Sequence, residues 1–386
     1  MGMGALDQQE SKSKQIIALC MIVKNESKVI ERALNSVKSF VDRYFICDTG
    51  STDDTVEVIE NYFSKHNLEG EVHSSPWVDF SHNRQEAFDL AKGKCDYIMT
   101  LDADEVFAPY VDNLPHLNKI VDEIPVFTAD RVEVKTVYGG LVYNRGQFYK
   151  ESINWKWSWP VHEVCGSSEE RSLEVIENAC VYPSLDGARS GDPNRYLRDA
   201  LVFENWLIDN PKDARAWFYL AQSYRDGGKP EKGISSLTKC LELSHWDEEI
   251  YVTHLRLARY KLEAGKPFEE VVHHYMEAYN SRPIRAEPFY DMLNYYRAHN
   301  KHHIGVAFGE LALKIPYPKH DRLFVELVVY DWRIKDDLSI CYYWVGRFKE
   351  GYDLGMELVN NPNIPKDHKE RITKNMQHCK EKLDEK

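Results

Sequence analysis

Residues 97–105 read Tyr-Ile-Met-Thr-Leu-Asp-Ala-Asp-Glu, and this stretch decides how the first half of the chain folds. The run from Tyr97 to Leu101 is mostly apolar, which predicts a short buried strand, and the acidic residues follow at once. In an open α/β sheet, ligands bind beyond the carboxyl ends of the strands. Two carboxylates separated by one small residue, Asp102 and Asp104, can share a hard divalent cation there. The same tripeptide also occurs in loops that only face solvent, so its place after a strand is what makes it informative.

The chain before this stretch alternates short apolar runs with helical patterns. Such alternation is typical of βαβ units that form a largely parallel sheet. It predicts strands at Ile16 to Val23 and Tyr44 to Cys47, a helix from about Ser27 to Phe40, and two further helices capped by Asp53 and Ser81.

The chain after residue 105 changes pattern. The segments Val132 to Tyr138 and Leu141 to Phe148 flank Gly139-Gly140 and predict an antiparallel hairpin. The following segment, residues 155–160, contains three tryptophans and a proline and predicts a loop. Its aromatic faces suit contact with sugar rings and ordinary packing equally well, so both roles stay open for Trp155, Trp157 and Trp159.

The composition is that of a globular protein with more than one domain. The chain has 386 residues, is 43% hydrophobic and 29% charged, and carries a net charge of −13. That charge argues against a nucleic-acid-binding protein, which needs a cationic surface. The apolar run at Ile16 to Val23 is too short for a membrane span, and the eight cysteines are scattered without a disulfide framework. These features predict a cytoplasmic protein whose residues 1–14 are flexible.

The second half, from about Pro193, reads as helix after helix with a repeated joint. Gly228-Lys229-Pro230 recurs as Gly265-Lys266-Pro267, then as Asn300-Lys301-His302 and Gly346-Arg347-Phe348. The stretch 217–224, before the first joint, closely matches the start of a tetratricopeptide repeat. The longer interval between the last two joints predicts an irregular insertion around residues 315–318. We therefore expect an α/β domain at 15–190 and a tetratricopeptide-like solenoid at 191–386.

Three segments together resemble a family 2 glycosyltransferase. They are residues 18–26, Ala-Leu-Cys-Met-Ile-Val-Lys-Asn-Glu, residues 46–53, Ile-Cys-Asp-Thr-Gly-Ser-Thr-Asp, and residues 101–105, Leu-Asp-Ala-Asp-Glu. A domain of this kind followed by tetratricopeptide repeats is similar to a known architecture of bacteria and large DNA viruses, which includes peptide S-glycosyltransferases. The resemblance implies a nucleotide-diphospho-sugar transferase (GT-A, Rossmann-like) fold and an inverting transfer of one sugar from a donor, with UDP preferred.

The resemblance also implies roles for particular residues. It assigns Asp102 and Asp104 to a bound Mn²⁺ or Mg²⁺, which offsets the negative charge that builds up on the departing nucleotide diphosphate. It assigns the donor nucleotide to Met21, Val23, Asn25, Glu26, Asp48, Arg84 and Asp102.

The acceptor needs a base to take its proton as the new bond forms. In repeat-bearing relatives a His-Glu pair follows the hairpin, and here Trp159-Pro160 precedes Val161-His162-Glu163. The resemblance makes Glu163 the leading candidate, while His162 is an alternative as base or as metal ligand. Asp130 is a weaker candidate.

These features favour a metal-dependent glycosyltransferase whose repeats recruit a glycan or polypeptide acceptor or form a homodimer. A non-catalytic interaction scaffold with a degenerate sugar-nucleotide domain is the alternative, which the intact Asp48, Asp102 and Asp104 oppose. Sugar transfer to nucleic acid bases is a third possibility, which would need a basic groove that the net charge does not indicate.

Overall fold

The computed structural model describes residues 14–111, 114–138 and 141–385. The chain divides between Arg195 and Tyr196 into two compact units, an α/β unit and a helical unit. The predicted flexible segment 1–14 lies outside the described residues except for Lys14, and so does the predicted Gly139-Gly140 turn.

The α/β unit is built on a sheet whose strands run in the order β3-β2-β1-β4-β8-β7-β11-β5-β6, with β9 and β10 forming a separate pair. The strands are β1 (Ile17–Val23), β2 (Arg43–Asp48), β3 (Glu69–Ser74), β4 (Tyr97–Thr100), β5 (Glu105–Val111), β6 (Leu114–Pro115), β7 (Arg131–Tyr138), β8 (Leu141–Lys150), β9 (Lys156–Ser158), β10 (Val164–Gly166) and β11 (Leu173–Pro183).

The sheet is mixed rather than largely parallel. Strands β3, β2, β1 and β4 are parallel neighbours, as the βαβ pattern predicts. Beyond β4, strand β8 pairs antiparallel with both β4 and β7, which confirms the predicted hairpin. Strand β11 then lies parallel to β7 and antiparallel to β5. Apart from the β7–β8 hairpin, the pairings β4–β8, β7–β11 and β11–β5 join segments far apart in sequence, so the local pattern carries no signal for them.

The first apolar run of the sequence forms strand β1, whose side chains are buried on both faces of the sheet. Leu19, Met21 and Val23 point into a core that includes the first helix, whereas Ala18 and Cys20 point into a second core on the opposite face. A strand buried on both faces has no polar alternation.

Three helices cover this sheet: α1 (Ile30–Val37), α2 (Thr55–His66) and α3 (Phe80–Ala91). Helix α1 is shorter than the predicted Ser27 to Phe40, because the residues that flank it form turns. The predicted caps shift as well. Asp54 is the N-cap of α2, while Asp53 Oδ1 accepts the Thr55 N–H from inside the loop. Asp79, not Ser81, caps α3 by accepting the His82 N–H at 2.8 Å.

The tryptophan-rich segment is not the loop that its sequence predicts. Residues Lys156–Ser158 form β9, which pairs antiparallel with β10. The β9 backbone also bonds to α3, where Gln85 Oε1 accepts the Trp157 N–H at 3.0 Å. Aromatic packing behind Trp155 and Trp157 therefore outweighs the loop signal of the nearby proline.

The helical unit is a chain of antiparallel hairpins, which confirms the tetratricopeptide-like prediction. The helices are α4 (Arg195–Asp209), α5 (Ala214–Asp226), α6 (Pro230–Leu243), α7 (Asp247–Glu263), α8 (Phe268–Ser281), α9 (Glu287–Ala298), α10 (His302–Leu313), α11 (Ile334–Trp344), α12 (Phe348–Asn360) and α13 (Lys366–Asp384), with a π-helical turn at Val329–Arg333 before α11. Residues 314–326 are non-helical, as predicted for the insertion.

All four repeated joints turn through a left-handed residue. Gly228, Gly265 and Gly346 have φ of 74°, 69° and 79°, and Asn300 has φ of 56°. Glycine reaches this region without a steric penalty, and asparagine tolerates it better than most residues do. The joints therefore share one backbone shape although their sequences differ.

Two further properties concern the whole chain. Among the described helices, none combines the length and apolar character that crossing a membrane requires. The eight cysteines are all free thiols, seven of them buried and Cys95 half-buried.

Candidate functional site

The carboxyl ends of β1, β2 and β4 lie at one edge of the sheet, because the three strands are parallel neighbours. The loops that follow them carry most of the residues that the sequence singles out. Strand β3 ends at the same edge and leads into the N-terminus of α3, which carries Arg84. This edge is where an α/β sheet of this kind binds ligands.

The loops after β1 and β2 are tied to each other. Asn25, with φ of 59°, accepts the Thr52 N–H through Oδ1 at 2.7 Å, and its own N–H donates to Ser51 Oγ at 2.9 Å. The Asp48 carboxylate accepts the N–H groups of Gly50 and Ser51. Asn25 and Asp48 thus shape the rim of the site, whatever they contact in a ligand.

The side chains of Met21 and Val23 lie in the core and are at most 3% exposed. The Val23 carbonyl accepts the Thr49 N–H at 2.9 Å. A nucleotide placed against this strand end would therefore meet backbone rather than these two side chains.

Asp102 and Asp104 lie in different surroundings. Burial raises the pKa of Asp102, but the adjacent Arg84 outweighs it and holds that pKa below its ordinary value. Arg84 Nη2 donates to Asp102 Oδ1 at 2.7 Å. The pKa of Asp104 is raised, first by burial and then by the negative charges of Asp102 and Glu105. Asp104 is therefore a carboxylate whose charge lacks compensation, which is a state that a bound cation relieves.

Arg84 joins this acidic pair to the predicted base. Its Nε donates to Glu163 Oε1 at 2.6 Å, while its guanidinium lies 5.4 Å from the ring centroid of Trp157. The Arg84 and Glu163 side chains are only 12% and 13% exposed. Burial lowers the pKa of Arg84, but Asp102 and Glu163 together raise it above its ordinary value. Arg84 was predicted in the nucleotide pocket, and the structure places it between Asp102 and Glu163.

Glu105 and Arg145 form a second ion pair that sequence reasoning missed. Arg145 donates to both carboxylate oxygens of Glu105 at 2.8 Å, and Glu105 Oε2 also accepts the Asp102 N–H at 3.0 Å. The Glu105–Arg145 pair therefore fixes the position of the Asp102 backbone. The available signal was the polar run Asn144 to Gln147, which interrupts the apolar residues of β8.

The loop that carries His162 and Glu163 is strained. Trp159 and His162 have φ of 69° and 54°, which β-carbon-bearing residues adopt at a cost of about 1–2 kcal/mol. Pro160 O accepts the Phe80 N–H at 3.1 Å, which fastens the loop to the start of α3. His162 is exposed, and its role as base or metal ligand stays a prediction. Strain of this kind clusters at functional sites.

Asp130 belongs to a different place. The β4–β8–β7 register puts residue 131 opposite Tyr149 and Tyr97 opposite Lys150, so Asp130 lies at the amino end of β4. Its carboxylate accepts the Arg171 and Ser172 N–H groups. Asp130 therefore holds the start of β11, at the sheet edge opposite Asp102, which argues against its role as the base.

The three tryptophans divide between core and rim. Trp155 is 4% exposed, and its ring packs against Tyr149 at 5.1 Å. Trp157 packs against Phe88 at 5.5 Å and against Arg84. For Trp155 the packing role is confirmed, whereas contact of Trp157 or Trp159 with a sugar stays a prediction.

The segment after β11 crosses the acidic edge. The Ser184 N–H donates to the Asp104 carbonyl at 2.9 Å, and a β-carbon at Gly187 would lie 2.9 Å from Asp104 Oδ2. The Ala188 N–H donates to both Glu26 carboxylate oxygens at 3.2 Å. Further along, the Arg189 guanidinium lies 4.6 Å from the Phe80 ring centroid. Any residue other than glycine at position 187 would force the Asp104 side chain to shift.

Glu26 is the third carboxyl group at this edge. Its pKa is raised to about 7, mainly by burial and further by the charges of Asp104, Asp102 and Asp53, against a lowering by the Ala188 N–H. The carboxyl groups of Glu26, Asp102 and Asp104 thus repel one another across a short region.

This donor set fits a divalent cation that takes further ligands from its substrate. Carboxylate oxygens are the ligands that Mg²⁺ and Mn²⁺ prefer, with substrate phosphates completing the shell. Within the described ranges, no group of three or more His, Cys, Asp or Glu side chains is arranged to hold a metal by itself. Asp102 and Asp104 would therefore need further ligands, such as phosphate oxygens of a substrate or water, to hold an ion.

Comparison with known proteins locates the same region. Residues 18–173 match the family model described as "Glycosyl transferase family 2". That range contains β1 to β10, the Asp102–Asp104 pair, Arg84 and Glu163.

Curated relatives extend the similarity into the helical half. The chain is 27% identical over 210 residues to a TPR repeat-containing protein of Synechococcus elongatus, covering 51% of this chain and 49% of that protein. It is 25% identical over 249 residues to the SPbeta prophage-derived glycosyltransferase SunS of Bacillus subtilis, covering 60% and 54%. An uncharacterized glycosyltransferase of Rickettsia felis is 38% identical over 89 residues, covering 23% and 29%. The chain thus spans about half the length of the first two relatives.

Proposed function

We propose that the chain, whose residues 18–173 match the family model of glycosyl transferase family 2, transfers a sugar from a nucleotide-diphosphate donor to a polypeptide or glycan acceptor. The transfer inverts the anomeric carbon, and UDP is the preferred nucleotide. The observation that carries the proposal is the connection of Asp102 to Glu163 through one guanidinium, that of Arg84.

Glu163 is the proposed base. Arg84 holds its Oε1, which leaves Oε2 to accept the proton of the acceptor nucleophile. An inverting displacement needs the nucleophile and the leaving group in line, with reacting atoms about 3–3.5 Å apart. Because Arg84 also holds Asp102, the base keeps a fixed position relative to the acidic pair.

Asp102 and Asp104 would hold Mn²⁺ or Mg²⁺, which supplies positive charge for the departing diphosphate. Arg84 compensates Asp102 and thereby keeps it ionised, whereas Asp104 is the less compensated of the two carboxylates. We assign the stronger dependence on the ion to Asp104 for this reason.

Arg189 is a second source of positive charge at this edge. It lies over Phe80 at the start of α3, and its charge contributes to the lowered pKa of Asp102. We propose that this guanidinium contacts the donor diphosphate, for which a planar arginine is well suited.

The test combines ligand binding with turnover. A ligand that binds only the native state stabilises it and so raises the melting temperature in thermal-shift measurements. At a ligand concentration of 100 times Kd the added free energy of unfolding is about 2.7 kcal/mol. We expect UDP with Mn²⁺ to raise it in the wild type and in Glu163→Gln, but not in Asp104→Asn. Release of UDP from UDP-sugars should fall at least about 100-fold in Glu163→Gln, since loss of a general base costs about that much.

Asp122→Asn is the matched control, because Asp122 is exposed and the carbonyl of its neighbour Val121 accepts from Ser39, after the C-terminal end of α1. It should behave as the wild type does in both measurements. Absence of any shift with UDP, GDP or dTDP sugars would contradict the donor site. Full turnover in Glu163→Gln would instead overturn only the assignment of the base.

A further inference from the structure

The hairpin pattern of the helical unit predicts one surface that no other helix covers. Helices α5, α7 and α9 are the first helices of three successive hairpins, and we call the surface they share the first-helix face. In stacked helical repeats, such faces are extended binding surfaces. Here residues 321–326, Asp-Arg-Leu-Phe-Val-Glu, lie on this face, and we call them the internal segment.

An aromatic side chain anchors the internal segment. The Phe324 ring stacks on Phe218 of α5, with centroids 5.9 Å apart and planes 25° apart. Arg256 of α7 lies over both rings, 4.3 Å from the Phe218 centroid and 4.4 Å from that of Phe324. Gln222 Oε1 accepts from Arg256 Nη1 at 2.9 Å, which fixes the guanidinium. The face thus offers a preformed aromatic and cationic clamp.

Helix α7 and the loop between α8 and α9 also bind the backbone of the internal segment. Glu248 Oε2 accepts the N–H groups of Arg322 and Leu323, each at 2.8 Å. Arg285 donates to the carbonyls of Leu323 and Phe324, at 3.3 and 3.1 Å. Contacts of this kind do not depend on the side chains of the bound segment, so they suit any extended peptide.

Two carboxylates of the internal segment meet cations of the helical unit. Asp321 accepts from Arg282 at 2.6 Å and from Arg285 at 3.3 Å. Glu326 accepts from Arg259 at 2.6 Å. Arg285 also donates to Glu287 and Arg259 to Asp291, so these two arginines are shared between α9 and the internal segment, whereas Arg282 donates to Asp321 of the segment. This arrangement selects a peptide with acidic residues on both sides of the aromatic anchor.

We propose that the first-helix face is a peptide-binding groove and that residues 321–326 of the chain itself occupy it. The ligands of this groove are extended segments that carry one acidic residue three positions before a phenylalanine and another two positions after it. A tethered ligand has an effective concentration in the millimolar range. A polypeptide acceptor of this class is therefore excluded from the groove while the internal segment is bound.

Hydrogen exchange of the full-length chain tests occupancy. If the groove is occupied, the amides of Arg322 and Leu323 exchange as slowly as those of α7 and α9. Exchange at the rate of an exposed loop would overturn the proposal. Glu248→Gln should accelerate exchange at these two amides at least about tenfold, since about 1.4 kcal/mol corresponds to tenfold and bonds to charged groups contribute about that much.

Peptide binding tests the ligand class. A fluorescent peptide of residues 318–328 should not bind the wild-type chain, but should bind the triple variant Asp321→Asn, Phe324→Ala, Glu326→Gln, whose segment is weakened. Adding Arg256→Ala to that variant, or replacing the phenylalanine of the peptide by alanine, should abolish binding. Equal binding to the wild type and the triple variant, or no binding to a folded triple variant, would overturn the proposal. If the triple variant does not fold, the exchange rates of the wild type decide.

Discussion

Arg84 shows how much one side chain organises at the candidate site. It contacts the acidic pair, the proposed base and an aromatic ring at once. Its importance was predictable from its position near the start of a helix that precedes the Asp-x-Asp strand. Its partner Glu163 was not, because 79 residues separate the two and no local pattern encodes that contact.

Glu26 gives a pH-dependent signature at the same scale. Its folded-state pKa of about 7 lies above its ordinary value of 4.5, so the ionised form is less favourable in the folded chain. The folded state then holds more protons than the unfolded state between these pH values, and stability falls as the pH rises through this window. In Glu26→Gln this loss should disappear.

The measurement is the melting temperature of both chains at pH 4.5 and pH 7.5, without divalent cations. Glu26 is only half-buried, so solvent screening limits the effect to the order of 1 kcal/mol. The difference in melting temperature, Glu26→Gln minus wild type, should rise by about 2–4 °C between the two pH values. Exposed Glu60 provides the control, since Glu60→Gln should leave that difference flat. An unchanged difference for Glu26→Gln would contradict the raised pKa of Glu26 in the folded chain.

At the scale of elements, the helix joints were the most predictable feature of the chain. The repeated Gly-Lys-Pro motif identified them, and each adopts the left-handed turn that glycine favours. The sequence did not predict the N-caps of α2 and α3 correctly, because another residue one or two positions away can cap a helix equally well. It did not predict β9 either, because packing behind the tryptophans depends on Phe88 and Tyr149, which belong to other elements.

Gly228 allows a test of that backbone shape. Nothing lies within 4 Å of a β-carbon placed there, so a substitution meets only the backbone penalty at φ of 74°. Gly228→Val should therefore destabilise the helical unit by about 1–2 kcal/mol. Gly228→Asn should cost clearly less, because Asn300 occupies the equivalent joint. Urea unfolding of both variants measures this, and equal losses would argue against a shared joint conformation.

At the scale of the whole molecule, the sequence predicted two architectures and their order, but not the mixed half of the sheet or the occupant of the first-helix face. The insertion around residues 315–318 was visible as an irregular spacing. The surface against which the insertion packs was not predictable, because Phe324 contacts Phe218, which lies more than a hundred residues earlier in the sequence. Contacts that distant depend on the assembled fold rather than on local propensity.

The proposed donor site lies wholly within the α/β unit, and this gives a prediction for the full chain. UDP with Mn²⁺ should slow amide hydrogen exchange in residues 23–26, 48–53 and 102–105, because binding stabilises the loops at the sheet edge. Helices α5 to α13 should exchange as before. Asp104→Asn is the control and should remove the protection. Slowed exchange confined to the helices would place nucleotide binding elsewhere.

The burial of the cysteines, seven fully and Cys95 in part, has a practical consequence. Burial raises the pKa of Cys47 and Cys180 to about 11 and that of Cys240 and Cys341 to about 12, and it raises the pKa of the other four as well. Since the thiolate is the reactive form, all eight native cysteines should react slowly with maleimide dyes. A cysteine introduced at exposed Lys319 would then be labelled selectively, without first removing the native ones, and its emission would report the departure of the neighbouring segment from its groove in real time.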